Sequence, residues 1–305
     1  MKKIQNNLSG AWSASPTPLT KKFKIDRTSV RRMVMHHIRL GQKGIFIGGT
    51  CGEGPFLPKD DLGLLVQTVV KSNNSKMAVA VQVTDNSYAK VLENIKAIES
   101  LGADIAVIAE PWFINCIGQQ DDMLKYYMES IEKSKLPVCI YCRGAKQVPV
   151  KFYKRILTHP NVCMFKDSSA NEQIMQIALS AAKKRNDLTI MTGVELGMVP
   201  ALKTGYTGIL AGGGIVIGHL TNQMIETAKQ RDWAKLEKLQ KHCDKINYTV
   251  YGGKKITSWL TGLKYTLVKM GIFSTTTGYL NYPLSETTKK KIDVMIEKEK
   301  DTLFP

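Results

Sequence analysis

The chain has 305 residues, 43% of them hydrophobic and 23% charged, a balance typical of globular proteins that excludes a largely disordered chain. Because α/β barrels of this length form around a single core, one large domain is expected. The formal net charge of +17 is compatible with binding to a nucleic acid. However, the cations are spread over many amphipathic segments, so no nucleic acid is expected and solubility is the simpler explanation, ahead of attraction of anionic substrates.

Six cysteines, at positions 51, 116, 139, 142, 163 and 243, lack the spacing of a disulfide framework, and the first residues do not resemble a secretory signal. We therefore expect a reducing, cytoplasmic environment. The longest apolar runs, such as 208–217, are too short and too rich in glycine to span a bilayer, so no membrane role is expected. The histidines, including His36 and His37, lack the spacing of zinc ligands, and no metal is predicted.

From about Leu8 onward, short β-rich runs alternate with amphipathic helical patterns, which predicts eight βα units with parallel strands. Strands are predicted at 10–16, 44–48, 77–83, 104–109, 137–142, 162–166, 188–192 and 208–211. Helices are predicted at 27–40, 59–71 and 88–100, after the start signals Asp26, Pro58 and Ser87. Gly41 and Gly102 follow two of these helices, where a left-handed residue turns the chain.

After Gly218 the alternation ends, and helices are predicted at 222–230, 233–251, 254–270 and 286–300. No linker, repeat or low-complexity tract in the sequence marks an independent second domain. The predicted architecture is an α/β fold, a (β/α)8 TIM barrel over 1–230, with a C-terminal helical extension over 231–305 packed on the barrel.

The C-terminal ends of barrel strands converge on one mouth, where an active site is expected. Polar or titratable side chains follow or close several predicted strands, and these are Thr50, Cys51, Glu110, Tyr141, Lys166 and Glu195. A packed core disfavours such groups, so their position suggests function.

Lys166 ends the apolar run Val162-Cys163-Met164-Phe165, which predicts an amine at a desolvated barrel mouth, where a neutral amine is a nucleophile. The alternative is a surface lysine just outside the strand, but the polar turn Asp167-Ser168-Ser169 favours the functional interpretation. Tyr141 ends the neighbouring strand, and its hydroxyl is expected near Lys166, where a phenol can pass protons. A core tyrosine with a satisfied hydroxyl is the alternative there.

The loop Gly48-Gly49-Thr50-Cys51-Gly52-Glu53-Gly54 places four glycines around a strand end. Successive backbone N–H groups can turn inward there as an anion nest, for which a small carboxylate is a suitable ligand. The spacing is that of neither a Walker loop nor a dinucleotide fingerprint. A tight turn without a ligand is the alternative.

Together these motifs resemble those of the dihydrodipicolinate synthase and N-acetylneuraminate lyase superfamily of class I, Schiff-base aldolases. The matching segments are Gly49-Thr50-Cys51-Gly52-Glu53, Ile140-Tyr141, Phe165-Lys166-Asp167-Ser168-Ser169 and Tyr282-Pro283-Leu284-Ser285-Glu286. The resemblance implies that Lys166 forms an imine with pyruvate or a related 2-oxo acid and that Tyr141 transfers protons. Backbone N–H groups of Thr50 and Cys51 would hold the substrate carboxylate. It further implies no cofactor besides the lysine imine, and a homo-oligomer, commonly a tetramer or a dimer.

The resemblance places Lys166, Tyr141 and Thr50 in catalysis, with the Thr50 hydroxyl linked to Tyr141. It places Gly49, Thr50, Cys51, Arg143, Lys146, Ser168, Glu195 and Leu210 in substrate binding. Three departures qualify it. Cys51 replaces a threonine, although the backbone contacts survive that change. Phe113 stands where a relay tyrosine is expected across a dimer interface, and Lys146 stands where the synthase has a carboxylate-binding arginine, with Arg143 as a candidate to compensate.

These departures change residues that serve the second substrate of the synthase, whereas the residues for Schiff-base chemistry are kept. We therefore expect a Schiff-base lyase, an aldolase or dehydratase of a hydroxylated 2-oxo (keto-deoxy sugar) acid, with Ser168 and Glu195 facing substrate hydroxyls. Dihydrodipicolinate synthase itself, which condenses pyruvate with aspartate semialdehyde, is the alternative enzyme. A non-catalytic 2-oxo acid sensor on the same barrel is the alternative from another class.

Overall fold

A computed structural model describes residues 8–112, 114, 118–144 and 148–305. Eight parallel strands close into a barrel in chain order, with the last strand hydrogen-bonded to the first. The strands are β1 Gly10–Ala14, β2 Gly44–Ile47, β3 Ala78–Gln82, β4 Ile105–Ala109, β5 Val138–Cys142, β6 Val162–Asp167, β7 Thr189–Thr192 and β8 Gly208–Ala211. The predicted (β/α)8 fold is therefore confirmed, and no strand end differs from its prediction by more than two residues.

The barrel helices start and stop largely where the sequence signals predicted. They are α1 Arg27–Arg39, α2 Lys59–Asn73, α3 Tyr88–Ser100, α4 Gln120–Glu132, α5 Val150–Leu157, α6 Glu172–Lys184, α7 Met198–Thr204 and α8 Gly214–Lys229. The side chains of Asp26 and Ser87 accept backbone N–H groups at the starts of α1 and α3, at 3.1 and 3.3 Å. Gly41 and Gly102 adopt the predicted left-handed conformation, with φ of 70° and 87°.

The prediction for α8 is wrong at its start, because this helix begins at Gly214 rather than at 222. Its first turn carries Ile215, Val216 and Ile217, which are all buried. A helix that is apolar on every side gives no period of 3.6 residues, so the sequence pattern cannot separate its start from the preceding strand.

The C-terminal extension consists of α9 Trp233–Val250, α10 Trp259–Lys269, α11 Glu286–Lys298 and α12 Lys300–Leu303. Its buried side chains, among them Leu236, Leu263 and Ile292, belong to the same hydrophobic cluster as the barrel helices. Helix α10 starts later than the predicted 254, because Gly252 and Gly253 turn the chain with φ of 80° and 94°. Among the described helices, none is long and apolar enough to cross a membrane.

A second, smaller core fills the barrel itself, with Trp12, Phe46, Met191 and Leu210 among its members. Tyr141 belongs to this inner core, so its ring lies inside the barrel. The sheet register pairs Tyr141 of β5 with Lys166 of β6, at the C-terminal ends of both strands. The fold therefore brings these two side chains together at the barrel mouth.

Two buried histidines of α1 are expected to make the stability of the fold dependent on pH. His36 and His37 are 3% and 0% exposed, and their Nε2 atoms lie 2.9 Å from the Ile215 carbonyl oxygen and 2.7 Å from the Ser15 hydroxyl. Burial lowers the pKa of His36 to about 4 and that of His37 to about 3, from 6.5. Below pH 6.5 both histidines are therefore protonated in the unfolded chain while they are still neutral in the folded chain.

The free energy of unfolding should accordingly be highest above pH 6.5 and fall as the pH drops towards 4. The expected loss is roughly 1.4 kcal/mol per histidine for each pH unit. Urea unfolding at about pH 7.5 and about pH 5 measures it. A His36→Gln/His37→Asn variant should show a shallower decline, and an equally steep decline in that variant would contradict the assignment.

Candidate active site

Lys166 lies at the barrel mouth against two aromatic rings. It is 4% exposed, and its Nζ lies 4.1 Å from the centroid of the Tyr141 ring and 5.2 Å from that of Phe46. The Phe46 and Tyr141 rings meet edge to face, with centroids 6.0 Å apart. Among the described residues, no carboxylate lies within ion-pair distance of this ammonium. The amine is thus placed in a confined, largely apolar pocket without a direct counter-ion.

The acid next to Lys166 in the sequence is engaged elsewhere. Asp167 accepts hydrogen bonds from the Ser169 N–H at 2.8 Å and from the Tyr206 hydroxyl at 2.7 Å. Gly193 follows β7, and a Cβ there would overlap the Ser168 hydroxyl and lie 2.9 Å from Lys166 Cε. Gly193, which the sequence interpretation missed, is therefore needed to make room for the lysine and for Ser168.

The glycine-rich loop after β2 folds back on itself, and among the described residues its N–H groups at Thr50 and Cys51 are left open. The Glu53 N–H bonds the Thr50 carbonyl and the Gly54 N–H bonds the Gly49 carbonyl, both at 3.2 Å. In the described part of the chain, the N–H groups of Thr50 and Cys51 donate to no protein acceptor. Open donors are what an anion nest requires. The expected hydrogen bond between Thr50 and Tyr141 is not formed among the described residues, and the Thr50 side chain is exposed.

A buried ion pair anchors this loop to the C-terminal extension. Glu53, held at φ 54°, accepts from Lys264 of α10 at 2.5 Å and from the Leu280 N–H at 2.9 Å. Lys264 also donates to the Thr277 carbonyl at 2.8 Å. The two charged side chains are 0% and 1% exposed. Burial lowers the pKa of Lys264, and Glu53 opposes that shift. The extension therefore fixes the conformation of the loop that carries Thr50 and Cys51.

Glu195 follows β7 and reaches the mouth beside Cys51. Its carboxylate accepts from the Gly213 N–H at 2.7 Å and from the Tyr251 hydroxyl at 3.2 Å. Burial raises the pKa of Glu195, against the opposing effects of these two hydrogen bonds and of Lys166. Burial, followed by the nearby Glu195 charge, raises the pKa of the Cys51 thiol to about 12, so Cys51 is no nucleophile here.

Arg143 is held by a buried acid. Its backbone N–H and its Nε bond the Glu110 carboxylate at 3.0 and 3.2 Å, and its Nη2 bonds the Glu110 carbonyl at 2.8 Å. The role of Arg143 in compensating for a missing substrate-binding arginine stays a prediction, and Glu110 fixes two of its three guanidinium nitrogens. Leu210 lies in the inner core of the barrel. Phe113 and Lys146 lie outside the described residues.

Sequence reasoning missed the supports of the site. Lys264 and Tyr251 come from the C-terminal extension, and Gly212 and Gly213 come from the turn after β8. A lysine on the apolar side of a predicted helix was the available signal for Lys264. Among the described residues, no group of three His, Cys, Asp or Glu side chains could hold a metal ion.

The sequence matches the model of the dihydrodipicolinate synthetase family over residues 7–299. Among curated proteins, a 4-hydroxy-tetrahydrodipicolinate synthase of Chloroherpeton thalassium is 25% identical over 293 residues, which cover 95% of this chain and 94% of that one. The solved dihydrodipicolinate synthase of Bacteroides thetaiotaomicron has a TM-score of 0.86 at 24% identity, covering 97% of this chain and all of that one. CdNal of Clostridium difficile, solved in complex with mannosamine, has a TM-score of 0.83 at 18% identity, covering 96% and 99%.

Proposed function

Because this chain belongs to the dihydrodipicolinate synthetase family, we propose that it is a Schiff-base-forming lyase of the class I aldolase type. Its substrate is pyruvate or a hydroxylated 2-oxo acid of the keto-deoxy sugar type. The imine forms on Lys166 itself, so the proposal includes no separate cofactor. A cytoplasmic location is part of the same proposal.

The setting of the Lys166 amine carries the proposal. Its Nζ lies 4.1 Å from the Tyr141 ring centroid, whereas the other described lysine buried to this degree, Lys264, is tied to Glu53 at 2.5 Å. A buried lysine with a purely structural role needs a carboxylate partner to compensate its charge. Lys166 lacks such a direct partner among the described residues, so its amine is available to react.

The reaction follows from three groups. The N–H groups of Thr50 and Cys51 hold the C1 carboxylate, which orients the C2 carbonyl towards Lys166. The amine adds to C2, and the C2 oxygen leaves as water with a proton from Tyr141, which gives an iminium ion. Tyr141 then takes a proton from C3, and the electron pair forms the enamine. Condensation and dehydration proceed from this enamine. Aldol cleavage instead starts from the iminium ion, where the C4 hydroxyl loses its proton, the C3–C4 bond breaks and its electron pair forms the enamine of pyruvate.

A second candidate is the reaction named for the relatives, 4-hydroxy-tetrahydrodipicolinate synthase. It would need a site for the carboxylate of aspartate semialdehyde. Arg143 has two of its three guanidinium nitrogens bonded to Glu110, which leaves less of the group for a bidentate contact with that carboxylate and favours the lyase. A coupled assay with pyruvate and aspartate semialdehyde separates the two activities.

We include in the proposal that the protein assembles with copies of itself, as a dimer or a tetramer. The Trp112 side chain, 69% exposed just after β4 at the mouth of the barrel, is a large apolar group that such an interface would cover. Light scattering during gel filtration measures the mass in solution. A species of 34.0 kDa, the mass of one chain, would contradict this part of the proposal.

Borohydride trapping tests the proposed function. The protein is incubated with pyruvate and sodium borohydride, weighed intact and digested for peptide mapping. We expect one adduct per chain, located on Lys166, because reduction converts the imine to a stable secondary amine. A protein that gains no mass, or that is modified only at other lysines, would overturn the proposal.

Replacement of Tyr141 by phenylalanine is expected to lower turnover by about 10²- to 10⁴-fold, the usual contribution of a positioned proton donor and acceptor. The ring that contacts Lys166 is kept, so the trapped adduct should still form, only more slowly. Tyr126→Phe is the matched control, since its hydroxyl bonds the Asp85 carbonyl at 3.1 Å, away from Lys166. Equal turnover of the two variants would exclude Tyr141 as the proton carrier.

A further inference from the structure

A groove between α1 and α2 is lined by three cations and, in the described part of the chain, by no acid. Arg27 and Arg31 line it from α1 and Lys71 from α2, and all three side chains are exposed on the outside of the barrel. The cavity has a volume of about 470 Å³, which lies within the range of small-molecule sites. The groove is therefore large enough for a ligand, and its charge attracts anions.

These three cations have no acidic partner among the described residues. The ion pairs formed there include neither of the two arginines and not Lys71. The acids of α2 lie in its first turn, and Asp61, the nearer of them to Lys71, pairs with Lys24 at 3.6 Å. The positive charges in the groove are thus left without a counter-ion from the described chain.

The placement of the two arginines opposes the intrinsic preferences of a helix. Arg27 and Arg31 are four residues apart, so they are neighbours on one face of α1, where like charges repel each other. Both lie near the start of α1, where the helix dipole favours acids, yet this helix contains no acid. Lys71 adds a third positive charge from across the groove. An anion in the groove would relieve this repulsion, and local preferences broken without internal compensation are typical of functional sites.

The other polar groups of the groove leave recognition of a ligand to these charges. The Thr68 and Ser72 hydroxyls donate to the carbonyls of Leu64 and Thr68, both at 2.7 Å, so their protons are already engaged. Guanidinium forks match phosphate oxygens in pairs, and a lysine binds phosphate as a point charge. A ligand with two linked phosphate groups carries about three negative charges near neutral pH, which balances the three cations.

The row of charges is too short for a long polyanion. Arg31 is followed one turn later on the same face by Met35, which also lines the groove and whose side chain is 52% exposed. A nucleic acid needs a stripe of cations along its backbone, whereas this row ends at an apolar side chain. The groove therefore fits a small anion better than a polymer.

We propose that the groove between α1 and α2 binds a small molecule with two linked phosphate groups, which Arg27, Arg31 and Lys71 hold by charge-assisted hydrogen bonds. The bound ligand connects α1 to α2 and stabilises the folded chain. This inference goes beyond the proposed function and does not depend on it, because the three cations lie on barrel helices and not at the mouth that holds Lys166.

Isothermal titration calorimetry of the full chain with inorganic pyrophosphate, at low salt and without divalent cations, tests the site. We expect one pyrophosphate per chain. Arg31→Gln and Lys71→Gln should each weaken binding by about 10-fold or more, the usual effect of losing a hydrogen bond between charged groups. Arg39→Gln removes a cation of the same helix that does not line the groove, so this matched control should bind as the wild type does.

A second measurement needs no ligand. Because Arg27 and Lys71 repel Arg31, Arg31→Gln should raise the unfolding temperature of the free protein by about 1 °C at low salt. Added sodium chloride should remove this difference, since it screens exposed charges. Arg39→Gln should not raise the unfolding temperature, because a cation in the last turn favours the helix. An unchanged unfolding temperature in Arg31→Gln at low salt would contradict the repulsion on which the site rests.

Three outcomes of the titrations would overturn the proposal. Equal weakening by Arg31→Gln and Arg39→Gln would show that anions respond only to the overall charge of the chain. Sulfate that binds as tightly as pyrophosphate at equal ionic strength would exclude recognition of two linked phosphates. A short RNA that binds more than about 100-fold tighter than pyrophosphate, and loses this affinity in Arg31→Gln, would make the groove a nucleic-acid site instead. Borohydride adducts on Lys166 are expected in all of these variants, so each outcome leaves the proposed function intact.

Discussion

Replacement of Lys166 by alanine is expected to abolish the trapped adduct and to reduce turnover by at least about a thousand-fold, because the nucleophile is lost. The expected effect on stability is small. Lys166 has no ion-pair partner among the described residues, so its removal leaves no buried charge behind. Intact mass after borohydride treatment, product formation and thermal unfolding measure the three quantities.

Lys184→Ala, at the exposed end of α6, is the matched control for loss of one lysine and should behave as the wild type. Pyruvate should still raise the unfolding temperature of Lys166→Ala, because the Thr50 and Cys51 N–H groups remain. An adduct of normal yield in Lys166→Ala would show that another lysine forms the imine. Normal pyruvate binding together with no turnover by the wild type would support the sensor hypothesis.

The barrel and the Lys166–Tyr141 pair could be predicted because both depend on local pattern. Uniform apolar runs with abrupt polar ends identify strands buried on two faces, and parallel register then puts the ends of neighbouring strands side by side. Tyr141 and Lys166 are direct partners in that register. Their roles in catalysis stay predictions until the adduct is mapped.

The supports of the site depend on contacts between distant parts of the chain, which no local pattern contains. Glu53 and Lys264 are 211 residues apart in the sequence. Arg143 was assigned to substrate by the resemblance to the family, and its pairing with Glu110, the residue after β4, could not be predicted. Closure of the barrel brings charged side chains from distant parts of the sequence together. Their pairing therefore follows from the tertiary structure alone.

Lys264→Met is expected to lower the free energy of unfolding by about 3–5 kcal/mol, because Glu53 is left as a buried charge without its cation. The corresponding drop in unfolding temperature is on the order of 5–10 °C. Since the Glu53 loop carries Thr50 and Cys51, the KM for the 2-oxo acid should rise as well. Urea titration and steady-state kinetics measure the two effects.

Two comparisons separate the buried pair from charge removal in general. Lys203→Met breaks an exposed pair with Glu237, at 2.8 Å, and should cost no more than about 1 kcal/mol. Glu53→Gln combined with Lys264→Met removes both charges and should recover a large part of the stability lost in Lys264→Met alone. If the double variant is as unstable as the single one, the loss comes from packing around α10 rather than from an uncompensated carboxylate. In that case the Lys264 side chain stabilises the fold by van der Waals packing, and the extension holds the Thr50 loop through packing contacts rather than through the ion pair.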